Sequence, residues 1–271
     1  MQGTVMTMTN PQTFQLKKLL EVVAGISDLT TFRFSPKGMQ LQTMDGSHVC
    51  LINIWLPKSW FESYECPADV TLETSIVILV KMLGCIEHGQ RAWLMHLQER
   101  KKDLVTDGWA LWLSGGGKET FDKEFKMPTF NLDEELIEVP EVDTDTDIVL
   151  SCARWSKVID ELSNFGDVVA IRCTIESTYM TSSNQSKGTQ MECKIGLDDV
   201  DDYGARDEEF RISFPLNFLH KAAAARQAAG LGPVQTVTIN ITERMPLITD
   251  YNLGNGASVK FYVAPRVDDD E

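Results

Sequence analysis

The residues whose type and spacing could do chemistry in this chain are lysines. Lys17 and Lys81 lie 64 residues apart, and Lys157 and Lys221 are separated by the same 64. Lys81, Lys157 and Lys221 stand away from apolar stripes at helical spacing, while Lys17 points to the flank of its stripe and Lys18 almost directly away from it. Such a lysine presents a fixed positive charge to solvent, the group that meets a phosphate. One lysine of this kind is ordinarily just the wet side of a helix. Four such faces at paired spacing form a pattern, because the chain has 25 basic against 40 acidic residues and a formal net charge of −15. A sequence this acidic is no general nucleic-acid binder, so any contact with DNA must be confined to a local basic surface.

Other chemistry is hard to find. His48, His88, His96 and His220 are isolated, with no carboxylate at ligand spacing. Gly115-Gly116-Gly117 precedes Lys118 without phosphate-loop spacing and reads as a hairpin turn, as does Gly254-Asn255-Gly256. Asp198, Asp199, Asp201 and Asp202 do not follow a calcium-loop pattern. The six cysteines (Cys50, Cys66, Cys85, Cys152, Cys173 and Cys193) form no CxxC pair and read as reduced thiols. No signal peptide and no membrane-length apolar run are seen. The expectation is a binding or scaffold protein, not an enzyme, with no cofactor and no metal.

The elements that must position the lysines repeat. Gln15–Gly25 places Leu16, Leu19, Leu20 and Val23 at i, i+3, i+4 and i+7, one buried helix face, with Gly25 as the stop. Ile76, Leu79, Val80 and Leu83 repeat this before Gly84. Trp155, Val158, Ile159 and Leu162 repeat it before Gly166. A looser copy spans Pro215–Gly230, with Leu216, Leu219 and Ala223 inward. The chain thus reads as two copies of a doubled unit. Strands are expected at 5–9, 31–34, 38–44, 48–56, 70–73, 93–97, 109–113 and 121–127, and after the midpoint at 148–152, 168–174, 179–183, 189–195, 209–214, 234–242, 247–253 and 258–264. The stretches 99–107 and 197–209 read as loops, and 267–271 as an acidic tail. This is an α+β chain of mostly antiparallel sheets with helices on one face.

Between the halves lies Asn131–Asp147, with eight acids, no base and a proline, which reads as an extended linker. Leu136, Ile137 and Val139 interrupt its charge, as though that spot packs on something. The boundaries follow: domain 1 over 1–128, a connector over 129–147 and domain 2 over 148–271.

Longer stretches resemble a known family. Leu41-Gln-Thr-Met-Asp-Gly-Ser-His-Val49, Phe61-Glu-Ser-Tyr-Glu-Cys66, Glu161-Leu-Ser-Asn-Phe-Gly-Asp167 and Lys260-Phe-Tyr-Val-Ala-Pro-Arg266 are similar to the DNA sliding clamps of the proliferating cell nuclear antigen family, PCNA. Leu16–Glu21 fits that family's first helix, and the match runs in order over nearly the whole chain. The resemblance implies a two-domain clamp fold with four helices per chain, and three chains in a head-to-tail ring around duplex DNA. The resulting processivity factor would tether DNA polymerase and other replication and repair proteins. It implies Lys17, Lys18, Lys81, Arg154, Lys157 and Lys221 as channel residues that contact phosphates without reading bases. It implies a front-face pocket for a client peptide with an aromatic and aliphatic plug, of the PIP-box type. Met44, His48, Val49, Leu51, Ile137, Val139, Pro246, Tyr262, Val263, Ala264 and Pro265 would form that pocket. Edge strands at 121–127 and roughly 187–193 would join subunits, with Phe125 at the joint. A clamp loader, a homotrimer and a nuclear or viral replication-site location come with the resemblance.

Some positions depart from it. Ala24, Gly84 and Asp160 stand where eukaryotic clamps usually carry inward basic residues, and Ile175 where they carry a modified lysine. The weaker channel leaves open a monomeric or dimeric polymerase accessory factor, or one subunit of a heteromeric checkpoint-type clamp.

Overall fold

The computed structural model describes residues 4–101, 104–129, 136–139, 143–184, 186–206, 208–229 and 235–266. The expected acidic tail, residues 131–135 and 140–142 of the acidic linker, Gly230 and Val234 lie outside the described residues. The chain divides into two compact units. The first comprises Met1–Thr43, Asn53–Ile137 and Leu253–Ser258, and the second Met44–Ile52, Glu138–Asn252 and Val259–Glu271.

In the first unit, β1 (Val5–Met8) leads into α1 (Asn10–Ala24). Thr9 caps the helix: its side chain accepts from the Gln12 backbone while the Gln12 side chain accepts the Thr9 N–H at 2.8 Å. This reciprocal box starts the helix earlier than its apolar stripe does. The next elements are β2 (Leu29–Ser35), β3 (Gly38–Met44), β4 (Cys50–Pro57), β5 (Ser63–Glu65), β6 (Val70–Ser75) and α2 (Ile76–Leu83). They are followed by β7 (Gln90–Lys101), β8 (Leu104–Gly115) and β9 (Lys123–Pro128). One antiparallel sheet has the order β5-β1-β7-β8-β9, and β2 pairs with both β3 and β6. Phe32 and Phe34 of β2 meet Trp109 of β8 edge-on at 5.9 and 5.0 Å, which fixes the core.

Residues 99–101 and 104–107 are strand and not the expected loop. β7 and β8 pair in unbroken register from Gln90↔Gly115 to Lys101↔Leu104. Backbone pairing carries the hairpin through a sequence too polar to announce a strand.

The second unit holds β10 (Thr146–Ser151), α3 (Cys152–Ser163), β11 (Val168–Cys173), β12 (Ser177–Asn184), β13 (Thr189–Gly196), β14 (Asp202–Ala205) and β15 (Phe210–Pro215). It continues with α4 (Leu216–Ala223), α5 (Arg226–Ala229), β16 (Thr236–Ile241), β17 (Leu247–Gly254) and β18 (Ala257–Val263). β13-β12-β11-β15 form a four-stranded sheet, while β14, β10, β16 and β17 are consecutive neighbours in another. Trp155, Phe214, Tyr251 and Phe261 are buried to within 1%.

Two expectations change here. The stretch 197–209 contains a strand, β14, because Tyr203 is buried and its hydroxyl donates to the Thr174 carbonyl at 2.8 Å. One aromatic anchor thus orders an acidic stretch. The fourth helix is two pieces, because the Ala224 and Ala225 N–H groups turn back to Lys221 and Ala222 in three-residue steps.

The glycine stops also work differently. Gly25 and Gly84 end their helices in right-handed conformations, at φ −73° and −66°, so neither uses the left-handed freedom of a glycine cap. Gly166 is not the stop of α3, whose cap is Asn164. A Cβ on Gly166 would sit 2.5 Å from the Ser183 carbonyl oxygen, so glycine is needed there for close approach.

Candidate nucleic-acid interface and peptide surface

The basic helix faces are built as the apolar spacing requires. In α1, Leu16, Leu19, Leu20 and Val23 are buried, leaving Lys17 and Lys18 half-buried on the outer side. Both lysines converge on one carboxylate: Glu21 lies 2.9 Å from Lys17 and 2.8 Å from Lys18. Burial pushes the Glu21 carboxyl up, but the hydrogen bonds from Lys18 and Lys17 outweigh this and hold it below the usual range. Lys17 also lies across the end of α2, where a Cβ on Gly84 would come within 3.3 Å of its Cε. Lys81 of α2 is exposed and has no ion-pair partner among the described residues.

α3 and α4 of the second unit show the same economy of charge. Lys157 is 75% exposed and lies 3.7 Å from Glu161. Arg154 donates to the Asp199 backbone carbonyl. Asp160, which stands where eukaryotic clamps usually carry an inward basic residue, is 3.1 Å from His220 of α4. Lys221 has its ammonium 5.3 Å from the Phe218 ring centroid and no carboxylate partner among the described residues. Sequence reasoning misses Glu21, Glu161 and His220. Glu21 sits at i+4 from Lys17 and i+3 from Lys18, and Glu161 at i+4 from Lys157, a spacing that could have found both, whereas His220 meets Asp160 from another helix. Phe14 and Ile78, at 38% and 45% exposure, add apolar points to α1 and α2.

The second surface is a loop. Asp45 is buried, and its carboxylate accepts the N–H of Val49 at 2.7 Å and of Ser47 at 2.9 Å, together with the N–H of Cys50 and the Ser47 hydroxyl. Burial pushes this carboxyl up, and the hydrogen bonds more than reverse it, so Asp45 is held below its ordinary range. The wrapped loop holds exposed His48 at φ 59°, a left-handed conformation that its neighbours must stabilise. The Ala264 N–H donates to the Val49 carbonyl at 2.8 Å, which brings Tyr262–Pro265 beside the loop. Met44, Val49, Tyr262, Ala264 and Pro265 are half-buried in this region, as is Pro246, whose neighbour Leu247 begins β17. Leu51 and Val263 differ, being core residues at 6% and 0% exposure that support the surface from beneath. Val139 is half-buried in the second unit. Ile137 belongs to the first unit and is 44% exposed. Its N–H donates to the Gln42 side chain at 2.8 Å, and its carbonyl accepts from the same amide at 3.0 Å. One glutamine thus pairs with this linker residue as a strand neighbour would, leaving the isoleucine side chain in solvent.

The third feature is a pair of sheet edges. β9, carrying half-buried Phe125, ends the five-stranded sheet, and β13 ends the four-stranded sheet. Each presents unpaired backbone groups. Among the described residues no cluster of three or more His, Cys, Asp or Glu could hold a metal ion, and no helix is long and apolar enough to cross a membrane.

Family models described as proliferating cell nuclear antigen, N-terminal domain, and proliferating cell nuclear antigen, C-terminal domain, match residues 8–136 and 138–266. The proliferating cell nuclear antigen of Dictyostelium discoideum is 27% identical over 255 residues, covering 93% of this chain and 96% of its own. The crystal structure of proliferating cellular nuclear antigen from Entamoeba histolytica matches with a TM-score of 0.81 at 22% identity. That match covers 98% of this chain and 100% of the other, and it speaks to the fold.

Proposed function

The chain belongs to the proliferating cell nuclear antigen family and is a DNA sliding clamp, and from that premise we propose how its residues perform the task. Three copies close head to tail into a homotrimer, β9 of one subunit pairing with β13 of the next, with Phe125 at the joint. This heterologous contact closes on itself and removes both sheet edges. A loader opens the ring at replication sites in the nucleus or its viral equivalent. The chain itself catalyses nothing.

Duplex DNA passes the helix faces, where Lys17, Lys18, Lys81, Arg154, Lys157 and Lys221 meet phosphates. The observation that carries this reading is that Lys17, Lys18 and Lys157 are paired with Glu21 and Glu161 and Arg154 with the Asp199 carbonyl, while Lys81 and Lys221 have no carboxylate partner among the described residues. Such a surface attracts phosphate weakly everywhere and tightly nowhere, which suits a ring held by topology and free to slide.

Clients dock through an aromatic and aliphatic plug on the surface around the Asp45-held loop and Tyr262–Pro265. Linker residues Ile137 and Val139 contribute to the same recognition. Tethering raises the local concentration of polymerase at DNA.

The experiment is retention on circular DNA. Loaded onto a nicked plasmid, the protein stays bound through a high-salt wash and is released when the plasmid is linearised. Salt-sensitive loss from the closed circle, or retention on linear DNA, contradicts the proposal.

A further inference from the structure

Across the four-stranded sheet of the second unit, Arg172 of β11 stands directly opposite Tyr179 of β12, and Tyr179 opposite Lys194 of β13. On the other side, Arg211 of β15 stands opposite Arg172. The four share one row, on the face away from buried Ile171, Met180, Ile195 and Ile212. Lys194 and Arg211 are exposed, Arg172 and Tyr179 half-exposed. The Arg172 guanidinium lies 4.0 Å from the Tyr179 ring centroid, and the Lys194 ammonium 5.8 Å from it.

Like charges in direct cross-strand register destabilise a sheet, and Arg172 faces Arg211 in just that way. Only Arg172 is relieved, by Glu209 at 3.4 Å. Among the described residues neither Arg211 nor Lys194 has an ion-pair partner, in a chain of net charge −15 with 40 acidic side chains available. The Arg266 N–H donates to the Ser213 carbonyl at 2.8 Å, so a further exposed arginine follows the same strand edge.

We propose that this row is a docking site for a short acidic peptide segment of a partner protein, separate from the helix faces and from the Asp45 loop. Neighbouring strands lie about 4.8 Å apart, so the row spans roughly 14 Å. An extended peptide with acids at alternate positions places three carboxylates over about 13 Å. The Tyr179 ring lies against the Arg172 guanidinium and keeps its charge within the row. A nucleic acid fits less well. The aromatic face that would stack a base is covered by Arg172, and a long polyanion would run onto Glu192 and Glu209 at the borders of the row.

The test is fluorescence anisotropy of the full chain with a fluorescein-labelled peptide of alternating glutamate and serine, which has no aromatic plug. Saturable, salt-sensitive binding is expected. It should weaken roughly tenfold in the Arg211→Glu/Lys194→Glu double variant and about threefold in Lys194→Gln, whose single exposed charge poses no folding problem. Lys81→Glu should leave it unchanged. Equal binding by the wild type and Lys194→Gln overturns the proposal, as does loss of binding in Lys81→Glu. Row-dependent binding of a single-stranded oligonucleotide without peptide binding also overturns it and transfers the site to nucleic acid.

Discussion

The buried carboxylate of Asp45 accepts the backbone N–H of Val49 at 2.7 Å, and through that bond a single acid shapes the surface proposed for client peptides. The same carboxylate takes the Ser47 and Cys50 amides, so removing it strands several donors at once, that of buried Cys50 among them. The side chain at Val49 is half-buried, and its carbonyl holds Ala264. Loop conformation and peptide surface are therefore one structural problem.

Asp45→Asn should cost about 1–3 kcal/mol of stability at neutral pH, measured by urea denaturation, because an amide cannot accept this many donors. The folded carboxyl is held below its unfolded value, so its contribution is complete above that unfolded value. It is lost as pH falls through the folded one. The difference between wild type and variant should therefore shrink below about pH 4. A pH-independent difference would show that ionisation of Asp45 is irrelevant to the loop.

On the proposed helix-face contact with phosphates, Glu21 should compete with DNA for Lys17 and Lys18. Glu21→Gln should raise duplex affinity a few-fold. Lys81→Ala or Lys221→Ala should lower it and reduce the salt slope by roughly one for each phosphate no longer neutralised. The two arms fail separately. Indifference to Lys81 and Lys221 would remove these helices from the DNA interface. A response to the lysines without a gain from Glu21→Gln would leave the interface standing and discard the competition.

Ile137→Ala should weaken a client peptide with an aromatic and aliphatic plug several-fold by calorimetry, without lowering the melting temperature. The side chain is 44% exposed and contributes little to folding, while Gln42 holds its backbone on both sides. An unchanged titration would take Ile137 out of the peptide surface.

Gly166→Ala tests the packing behind α3. The added methyl would meet the Ser183 carbonyl at 2.5 Å, inside any real contact distance, and nearby Ser182 is buried. A loss of about 1–3 kcal/mol by urea denaturation is expected. A neutral variant would mean that the Gly166 turn shifts freely away from β12.

Apolar period carried most of the fold. Leu16, Leu19, Leu20 and Val23 announce α1 because a buried stripe leaves no other reading, and Phe32 and Phe34 announce β2 likewise. What the sequence hid depends on partners distant along the chain. The outer part of the β7–β8 hairpin is polar and exists through its register with itself. β14 rests on Tyr203 reaching Thr174. The same holds at the candidate sites. Lysines opposite a stripe could be read one helix at a time, whereas the Asp160–His220 contact crosses from α3 to α4. Val263 lies between half-buried Tyr262 and Ala264 and is turned inward by strand alternation, whereas Leu51 belongs to a run of three buried residues, Cys50 to Ile52.

The ring itself is tested most directly by absolute mass from light scattering across a dilution series, with Phe125→Ala run alongside. Closure through β9 and β13 predicts a mass about three times the 30.4 kDa chain, stable on dilution, and smaller species for the variant. A mass of one or two chains for the wild type would contradict the closed homotrimer. It would point instead to an accessory factor, or to one subunit of a mixed ring.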